Sequence, residues 1–219
     1  MKLKSSVDKL LQQMGEVGGT NKGNFGEKAV FKICEEKYQA QGGILYHSYS
    51  YKTNPMLEGN IKRNEQGGLF IEKVGSTTEI DVLFITKNKV FPIEVKAYKA
   101  KRIVLTDEAI SGCFKIDKSP VHQNEMHCRH LYPYIFKALP EGETQYIEPI
   151  VVFVDNCTVE DNRSEYQKKY IKVTILNHLK KLLDELDKPL DYFIDLKIME
   201  KCLIETSIKF EKHLKARII

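Results

Sequence analysis

The spacing of apolar positions predicts a helical start to the chain. Apolar residues recur at helical steps over 3–14 and again over 25–39. Glycines and asparagines separate the two segments, and Gly42 with Gly43 follows the second one. We therefore expect two helices on either side of a glycine-rich linker, with the second helix ending at the glycine pair.

Alternating and continuous apolar runs predict the strands. The segment 44–51 alternates and is rich in β-forming residues, and a shorter candidate strand over 68–74 follows a polar loop over 56–68. The stretch "TEIDVLFITKNKVFPIEVKAY", residues 78–98, is typical of a hairpin of two apolar strands with a short polar turn. A continuous β-branched run over 146–155 suits a strand that is covered on both faces.

Helical spacing returns in the second half of the chain. Pro120 opens a helical segment that Pro133 should end or kink. The segment 170–186 passes from a short strand into a helix, and a closing helix is predicted over 190–214. The predicted order is a helix, three strands, a helix, two strands and two helices, which indicates an α/β fold around one mixed sheet.

Composition places the chain among globular proteins. It has 219 residues, enough for one sizeable core, with 42% hydrophobic and 29% charged residues. The formal net charge of +4 permits a phosphate-bearing partner without requiring one. The five cysteines form no CxxC pair, and neither a signal peptide nor a membrane-length apolar run is present. We expect a soluble cytoplasmic protein with reduced thiols and no membrane contact.

Three charges interrupt the apolar pattern of the predicted hairpin. If Lys87 and Asn88 form a two-residue turn, Asp81 lies directly across from Glu94. Lys96 lies two residues beyond Glu94, so it points to the same face of the strand. The three charged side chains therefore converge at one end of the hairpin.

Two carboxylates this close repel each other unless a cation lies between them. Oxygen ligands of this kind suit Mg²⁺, and the backbone carbonyl of Val95 adds a further oxygen. Lys96 can then orient or help deprotonate a metal-bound water and offset charge on a phosphate. The pattern indicates metal-assisted phosphodiester hydrolysis. An ion-paired, solvated hairpin end is the plain alternative, which the apolar neighbours disfavour.

Four short motifs of the chain occur in a fixed order. They are "GNFGE" at 23–27, "TEID" at 78–81, "IEVK" at 93–96 and "SPVHQ" at 119–123. In these motifs the chain resembles the nuclease-related domain (NERD) branch of the PD-(D/E)xK nucleases. The resemblance implies a restriction-endonuclease-like core, with a central mixed β-sheet flanked by helices, over 23–187. Residues 1–22 are then an N-terminal helix and linker, and 188–219 a helical C-terminal extension packed on the core.

The resemblance implies five catalytic residues: Glu27, Asp81, Glu94, Lys96 and Gln123. The three carboxylates and the carbonyl of Val95 would bind the metal ion, Mg²⁺ with Mn²⁺ able to substitute. The lysine would act on the nucleophilic water, and Gln123 would buttress the site or contact the substrate. Glu27 also has a structural explanation, because an acidic residue in the first turn of a helix is favourable in itself.

Basic residues near the hairpin predict a nucleic-acid path. Lys99, Lys101 and Arg102 directly follow its second strand, where they are placed to neutralise backbone phosphates, and Lys62 with Arg63 could add to them. A charge run is also typical of an ordinary solvated face. We expect DNA rather than RNA as the substrate, with little sequence specificity because no base-reading module is present.

Five alternatives concern a further metal site, other functions and assemblies. The stretch "HQNEMHCRH" over 122–130 invites a zinc site, but a compact one needs a fourth ligand that the sequence does not place. The favoured interpretation is that Gln123 and His127, one helical turn apart, face the active-site side of their helix. A catalytically idle module that binds nucleic acid or a protein is the second function, and a nucleotide-processing enzyme is a third. A homodimer stays open, since cutting both strands of a duplex with one site per chain requires two chains. An activating partner protein stays open as well.

Overall fold

A computed structural model of the protein describes most of the chain. The described residues are 21–53, 60–63, 69–72, 77–98, 100–107, 109–111, 117–154, 157–209 and 212–217. The predicted helix over 3–14 lies outside them. Within these ranges, no helix is long and apolar enough to cross a membrane.

The described residues form five α-helices. These are α1 (Asn21–Gln41), α2 (Pro120–Ile135), α3 (Glu165–Tyr170), α4 (Leu176–Leu186) and α5 (Leu196–Thr206). The helix predicted over 25–39 is confirmed, and it begins four residues earlier, at Asn21. Pro133 lies inside α2, which continues for two residues and then tightens into a 3₁₀ turn over Phe136–Ala138.

Thirteen strands are described. They are β1 (Gly43–Lys52), β2 (Asn60–Arg63), β3 (Leu69–Glu72), β4 (Thr77–Ile85), β5 (Val90–Lys96), β6 (Arg102–Leu105), β7 (Ala109–Ser111), β8 (Asp117–Lys118), β9 (Ile150–Phe153), β10 (Thr158–Asp161), β11 (Lys172–Ile175), β12 (Ser207–Lys209) and β13 (Lys212–Arg217). Seven of them form the central sheet in the order β11-β9-β5-β4-β1, with β12 and β13 both beside β1. Within this sheet, β5, β9 and β11 pair parallel, and the other neighbouring strands pair antiparallel. The predicted mixed sheet is therefore confirmed.

Two smaller sheets lie apart from the central one. The first has the order β10-β6-β7-β8, and the second is the antiparallel pair of β2 and β3. The predicted strand over 68–74 is thus confirmed as Leu69–Glu72. The predicted loop over 56–68 is wrong in part, because Asn60–Arg63 forms the strand that pairs with it.

Helices cover both faces of the central sheet. On one face, Val82, Phe84, Ile93 and Val95 of the hairpin pack in one cluster with buried residues of α1 and α4. On the other face, the opposite set of hairpin residues packs with buried residues of α2 and α5. This division follows the two-residue period of the strands, which places alternate hairpin residues on opposite faces of the sheet.

The predicted two-residue turn of the hairpin is also confirmed. Val82 lies across from Ile93 and Ile85 across from Val90, which is the register that a turn at 87–88 imposes. The Thr86 amide donates to the Lys89 carbonyl at 2.9 Å. This register brings Asp81 to the level of Glu94.

The predicted closing helix over 190–214 is wrong in its second half. Helix α5 ends at Thr206, whose hydroxyl donates to the Cys202 carbonyl at 2.8 Å and lies 2.9 Å from the Tyr49 hydroxyl. The chain then forms β12 and β13, which pair antiparallel with β1. Without them β1 would present an unpaired edge of backbone groups, and pairing removes that cost. The C-terminal extension is therefore a helix followed by strands.

Close approaches between segments require glycine at two positions. Gly43 has φ +127°, and a Cβ atom there would lie 2.2 Å from the Ile85 carbonyl oxygen. In α1, a Cβ atom on Gly26 would lie 2.7 Å from Cγ2 of Val154. Helix α1 therefore lies against the end of β9 at a distance that only glycine allows.

We predict that Gly26→Ala lowers the free energy of unfolding by about 1–3 kcal/mol, because the added methyl group overpacks the contact with Val154. Gly23→Ala is the matched control in the same helix, since a Cβ atom there meets nothing within 4 Å. The control should be neutral or gain about 0.5–1 kcal/mol. Urea unfolding of the three proteins measures this, and equal stabilities would contradict the packing argument.

Candidate active site

The acidic pair of the hairpin lies in the middle of the central sheet. Glu94 is on β5, between β4 and β9, and only 1% of its surface is exposed. Asp81 on β4 accepts a hydrogen bond through Oδ2 from the Val95 amide, at 2.7 Å. This hydrogen bond fixes the Asp81 carboxylate at the backbone of β5, next to Glu94.

Lys96 compensates part of this buried negative charge. Its ammonium group forms an ion pair with Oε1 of Glu94. Burial works to lower the pKa of Lys96, but the carboxylates of Glu94 and Asp81 outweigh it, and the pKa of the lysine is raised. Lys96 therefore keeps its proton at neutral pH in this arrangement.

The two carboxyl groups are costly to ionise together. Burial raises the pKa of Glu94 to about 8, and the neighbouring charge of Asp81 adds to the rise, against the effect of Lys96. Burial also raises the pKa of Asp81, against the hydrogen bond from Val95 and the charge of Lys96. A single ammonium group thus leaves the pair short of positive charge.

Helix α2 closes the site from one side of the sheet. The Asn124 amide nitrogen donates to the carbonyls of Pro92 and Ile150, at 3.1 and 2.9 Å, and so ties the helix to β5 and β9. One turn further on, Nδ1 of His127 lies 3.7 Å from Oε2 of Glu94. His127 was not among the predicted site residues.

The environment of His127 disfavours a charged ring. Burial lowers its pKa to about 4, and the nearby charges of Lys96 and His130 act in the same direction. Its carbonyl accepts a hydrogen bond from the Tyr51 hydroxyl at 2.6 Å, which joins this turn of α2 to β1. The imidazole is therefore neutral at physiological pH and held in place by its helix.

The exposed end of α2 carries the fifth predicted catalytic residue. Gln123 lies on the surface, one helical turn before His127. Its side chain is thus on the same side of the helix, nearer to solvent. A role for Gln123 in contacting the substrate stays a prediction.

Helix α1 carries Glu27, which lies near the acidic pair and contacts a second histidine, His47. Oε2 of Glu27 lies 3.6 Å from Nε2 of His47 on β1. The charge of Glu27 contributes to the raised pKa of Glu94, and His47 works to lower the pKa of Asp81. Glu27 therefore lies within electrostatic reach of the acidic pair, with His47 as its direct neighbour.

His47 was missed by the sequence argument, although a signal was present. It is a single histidine in the otherwise aromatic and aliphatic start of β1, "GILYHSYSYK". The next residue, Ser48, has φ 53°, in the left-handed region. This kink breaks the alternation, so Tyr46 and Tyr49 lie in the same core cluster while His47 contacts the ring of Phe31 on α1.

The donor set fits a hydrated divalent cation. Within the described ranges, no three or more Asp, Glu, His or Cys side chains are grouped so that they could hold a metal ion. Mg²⁺, however, needs only one or two carboxylates with water and phosphate oxygens. Oε2 of Glu94 is buried and has no hydrogen-bond partner among the described residues. Asp81, Glu94 and the Val95 carbonyl are the residues that would hold the ion.

The predicted phosphate-binding residues differ in their surroundings. Lys101 is exposed just beyond β5. The guanidinium group of Arg102 makes two hydrogen bonds to the Glu160 carboxylate, at 2.7 and 2.6 Å, so its charge already has a partner. The side chains of three others lie outside the described residues: Lys62, Arg63 and Lys99.

We predict that Glu94 contributes a loss of stability to the metal-free protein as the pH rises from about 4.5 to about 8, while the lowered pKa of His127 acts in the opposite direction below about 6.5. A carboxyl group whose pKa is raised in the native state binds its proton more tightly there, so the stabilisation is lost as the pH passes through that window. Glu94→Gln should flatten this loss in EDTA. Glu165→Gln, at a site 90% exposed, should leave the wild-type profile unchanged. Urea unfolding at a series of pH values measures the free energy of unfolding. Equal slopes of this free energy against pH for the wild type and Glu94→Gln would contradict the prediction.

Comparison with known proteins gives three results. The family model described as "Nuclease-related domain" matches residues 22–154. No functionally curated protein matches the chain. Among solved structures, the small subunit of the heterodimeric restriction endonuclease R.BspD6I is similar at 12% sequence identity and a TM-score of 0.36, over 91% of this chain and 86% of that one. The family match spans more than half of the sequence and includes all four motifs, so the chain belongs to the nuclease-related domain family.

Proposed function

We propose that this protein hydrolyses phosphodiester bonds of nucleic acid in a metal-dependent reaction, with DNA rather than RNA as the substrate. The observation that carries the proposal is the buried Glu94 next to the half-buried Asp81 and beside Lys96, at one end of a hairpin in a nuclease-related domain. Placing two carboxylates this close in the middle of a sheet is costly, and a bound cation would offset that cost.

The residues of the site divide the work as follows. Asp81 and Glu94, with the carbonyl of Val95, would hold Mg²⁺ or Mn²⁺. When bound, the ion lowers the pKa of water and neutralises charge on the phosphate. Lys96 is a protonated ammonium group that can leave Glu94 when the ion arrives and donate to a phosphate oxygen that gains negative charge.

Hydrolysis needs one water and two proton movements. The water oxygen forms the new bond to phosphorus, the ester P–O bond breaks, and the departing oxygen takes up a proton. The water loses its proton to the surrounding solvent on the way to becoming a phosphate oxygen, because Lys96 is already protonated. Once it has left Glu94, the Lys96 ammonium group can also donate a hydrogen bond that orients this water.

We predict that Lys96→Ala lowers DNA cleavage by at least about 100-fold with little change in metal affinity, because the lysine acts on the reacting groups. Asp81→Ala should lower both cleavage and metal affinity. Lys181→Ala is the control, since that side chain is 81% exposed on α4. Supercoiled plasmid, linear duplex, single-stranded DNA and RNA are incubated with each protein in Mg²⁺, Mn²⁺ or EDTA.

The products of this assay separate the functions. Cation-dependent cutting that disappears in Asp81→Ala supports the nuclease, and nicked or linear plasmid shows whether one strand or both are cut. DNA binding without cutting by the wild-type protein would instead favour the idle binding module or an enzyme that needs a partner. Equal metal affinities in Asp81→Ala and Lys96→Ala would contradict the assigned roles.

We predict that Lys101→Gln weakens DNA binding and lowers the slope of log K against log salt by about 0.9, the value for one lost phosphate contact. Arg102→Gln should change the slope less, because Glu160 already pairs with that guanidinium group. Fluorescence anisotropy with a labelled duplex at a series of salt concentrations measures both. An unchanged slope in Lys101→Gln would place the DNA path elsewhere.

A further inference from the structure

The structure points to His127 as a ligand of the cation that Glu94 holds, so that the site binds Mn²⁺ in preference to Mg²⁺. This inference rests on the proposed metal site and adds a nitrogen donor to it. It starts from two buried atoms that face each other: Oε2 of Glu94 and Nδ1 of His127. Neither atom has a hydrogen-bond partner among the described residues.

Burial makes this lack of partners costly. Glu94 is 1% exposed and His127 is 6% exposed. An unsatisfied polar atom in such a place destabilises the folded protein, and more so when it is charged. Two of them on facing side chains indicate that a third group belongs between them.

The distance between the two atoms identifies the third group. At 3.7 Å they are too far apart for a direct hydrogen bond, which spans about 2.7–3.2 Å. A bridging water with hydrogen bonds of about 2.8 Å to each would hold them about 4.6 Å apart. Two ligands at about 2.1 Å from one metal ion lie about 3.0–3.6 Å apart. The observed gap is thus closest to that of a shared ion.

The elements around the pair keep this gap fixed. Glu94 lies in a central strand of the sheet, and Asn124 ties α2 to the two strands at this level. The Tyr51 hydroxyl holds the backbone of the His127 turn from β1. These contacts fix the backbone of His127 at the level of Glu94.

An imidazole ligand changes which ion the site prefers. Carboxylates, carbonyls and water suit Mg²⁺, whereas a nitrogen donor favours transition-metal ions. Glu94 and His127 give this ion one carboxylate and one neutral nitrogen, and its other positions are open to water and phosphate oxygens. Mn²⁺ accepts both kinds of ligand, so it should bind more tightly than Mg²⁺.

The test measures ion binding on the full-length protein without DNA. Calorimetric titration with Mn²⁺ and with Mg²⁺ compares the wild type with His127→Ala and His127→Gln. We predict that both variants lose Mn²⁺ affinity by about 10- to 100-fold and Mg²⁺ affinity by less. His122→Ala is the matched control on the same helix, because that side chain is 60% exposed, and it should bind as the wild type does.

A second measurement needs no variant. Pulsed electron paramagnetic resonance of the Mn²⁺-loaded wild type should show modulation from a directly bound imidazole nitrogen. Absence of that signal, or an unchanged Mn²⁺ affinity in folded His127→Ala, would overturn the inference. The nitrogen signal in a protein that cuts no nucleic acid would leave this site standing and refute the nuclease. Cation-dependent cutting by a protein in which His127 does not affect ion binding would support the nuclease and refute the role of His127 as a ligand.

Discussion

The burial of Glu94 beside Asp81 is the constraint on which the rest of this structure depends. A carboxylate in the middle of a seven-stranded sheet loses its hydration, and a second one at the same level adds repulsion. The surrounding groups reduce this cost in separate ways. Lys96 supplies an ion pair to Glu94, and the Val95 amide supplies a hydrogen bond to Asp81. The negative charge of the two carboxylates is still only partly compensated, so the site favours one more positive charge.

Helices α1 and α2, on opposite faces of the sheet, contact it next to the two carboxylates. Asn124 fastens α2 to the backbones of β5 and β9, which leaves its next turn facing Glu94. On the opposite side, the missing side chain of Gly26 lets α1 approach Val154 and brings Glu27 beside His47. The general fold thus places side chains from three layers around one pair of charges, as expected when a rigid scaffold holds a reactive centre.

The sequence was sufficient for those parts whose geometry is local. The strand period and a two-residue turn fix the hairpin register, so the positions of Asp81, Glu94 and Lys96 could be predicted. The contact between His127 and Glu94 and the course of residues 207–217 could not be predicted. The contact of His127 with Glu94 depends on how α2 lies across the sheet, and β12 with β13 forms because β1 has an open side. Both features depend on tertiary packing. In residues 207–217, this packing overrides the helical spacing of the apolar residues.

The pairing of β1 with β13 has a consequence for the order in which the protein is made. His47 lies across from Lys212, so the strand that carries it gains its second neighbour only after residues 212–217 have left the ribosome. Contacts between segments so distant in sequence form late and slowly. Strand β1, which carries His47, is therefore flanked on both sides only after the hairpin of Asp81 and Glu94 has been translated. A nascent chain without residues 212–217 would leave this part of β1 with an open edge of backbone groups.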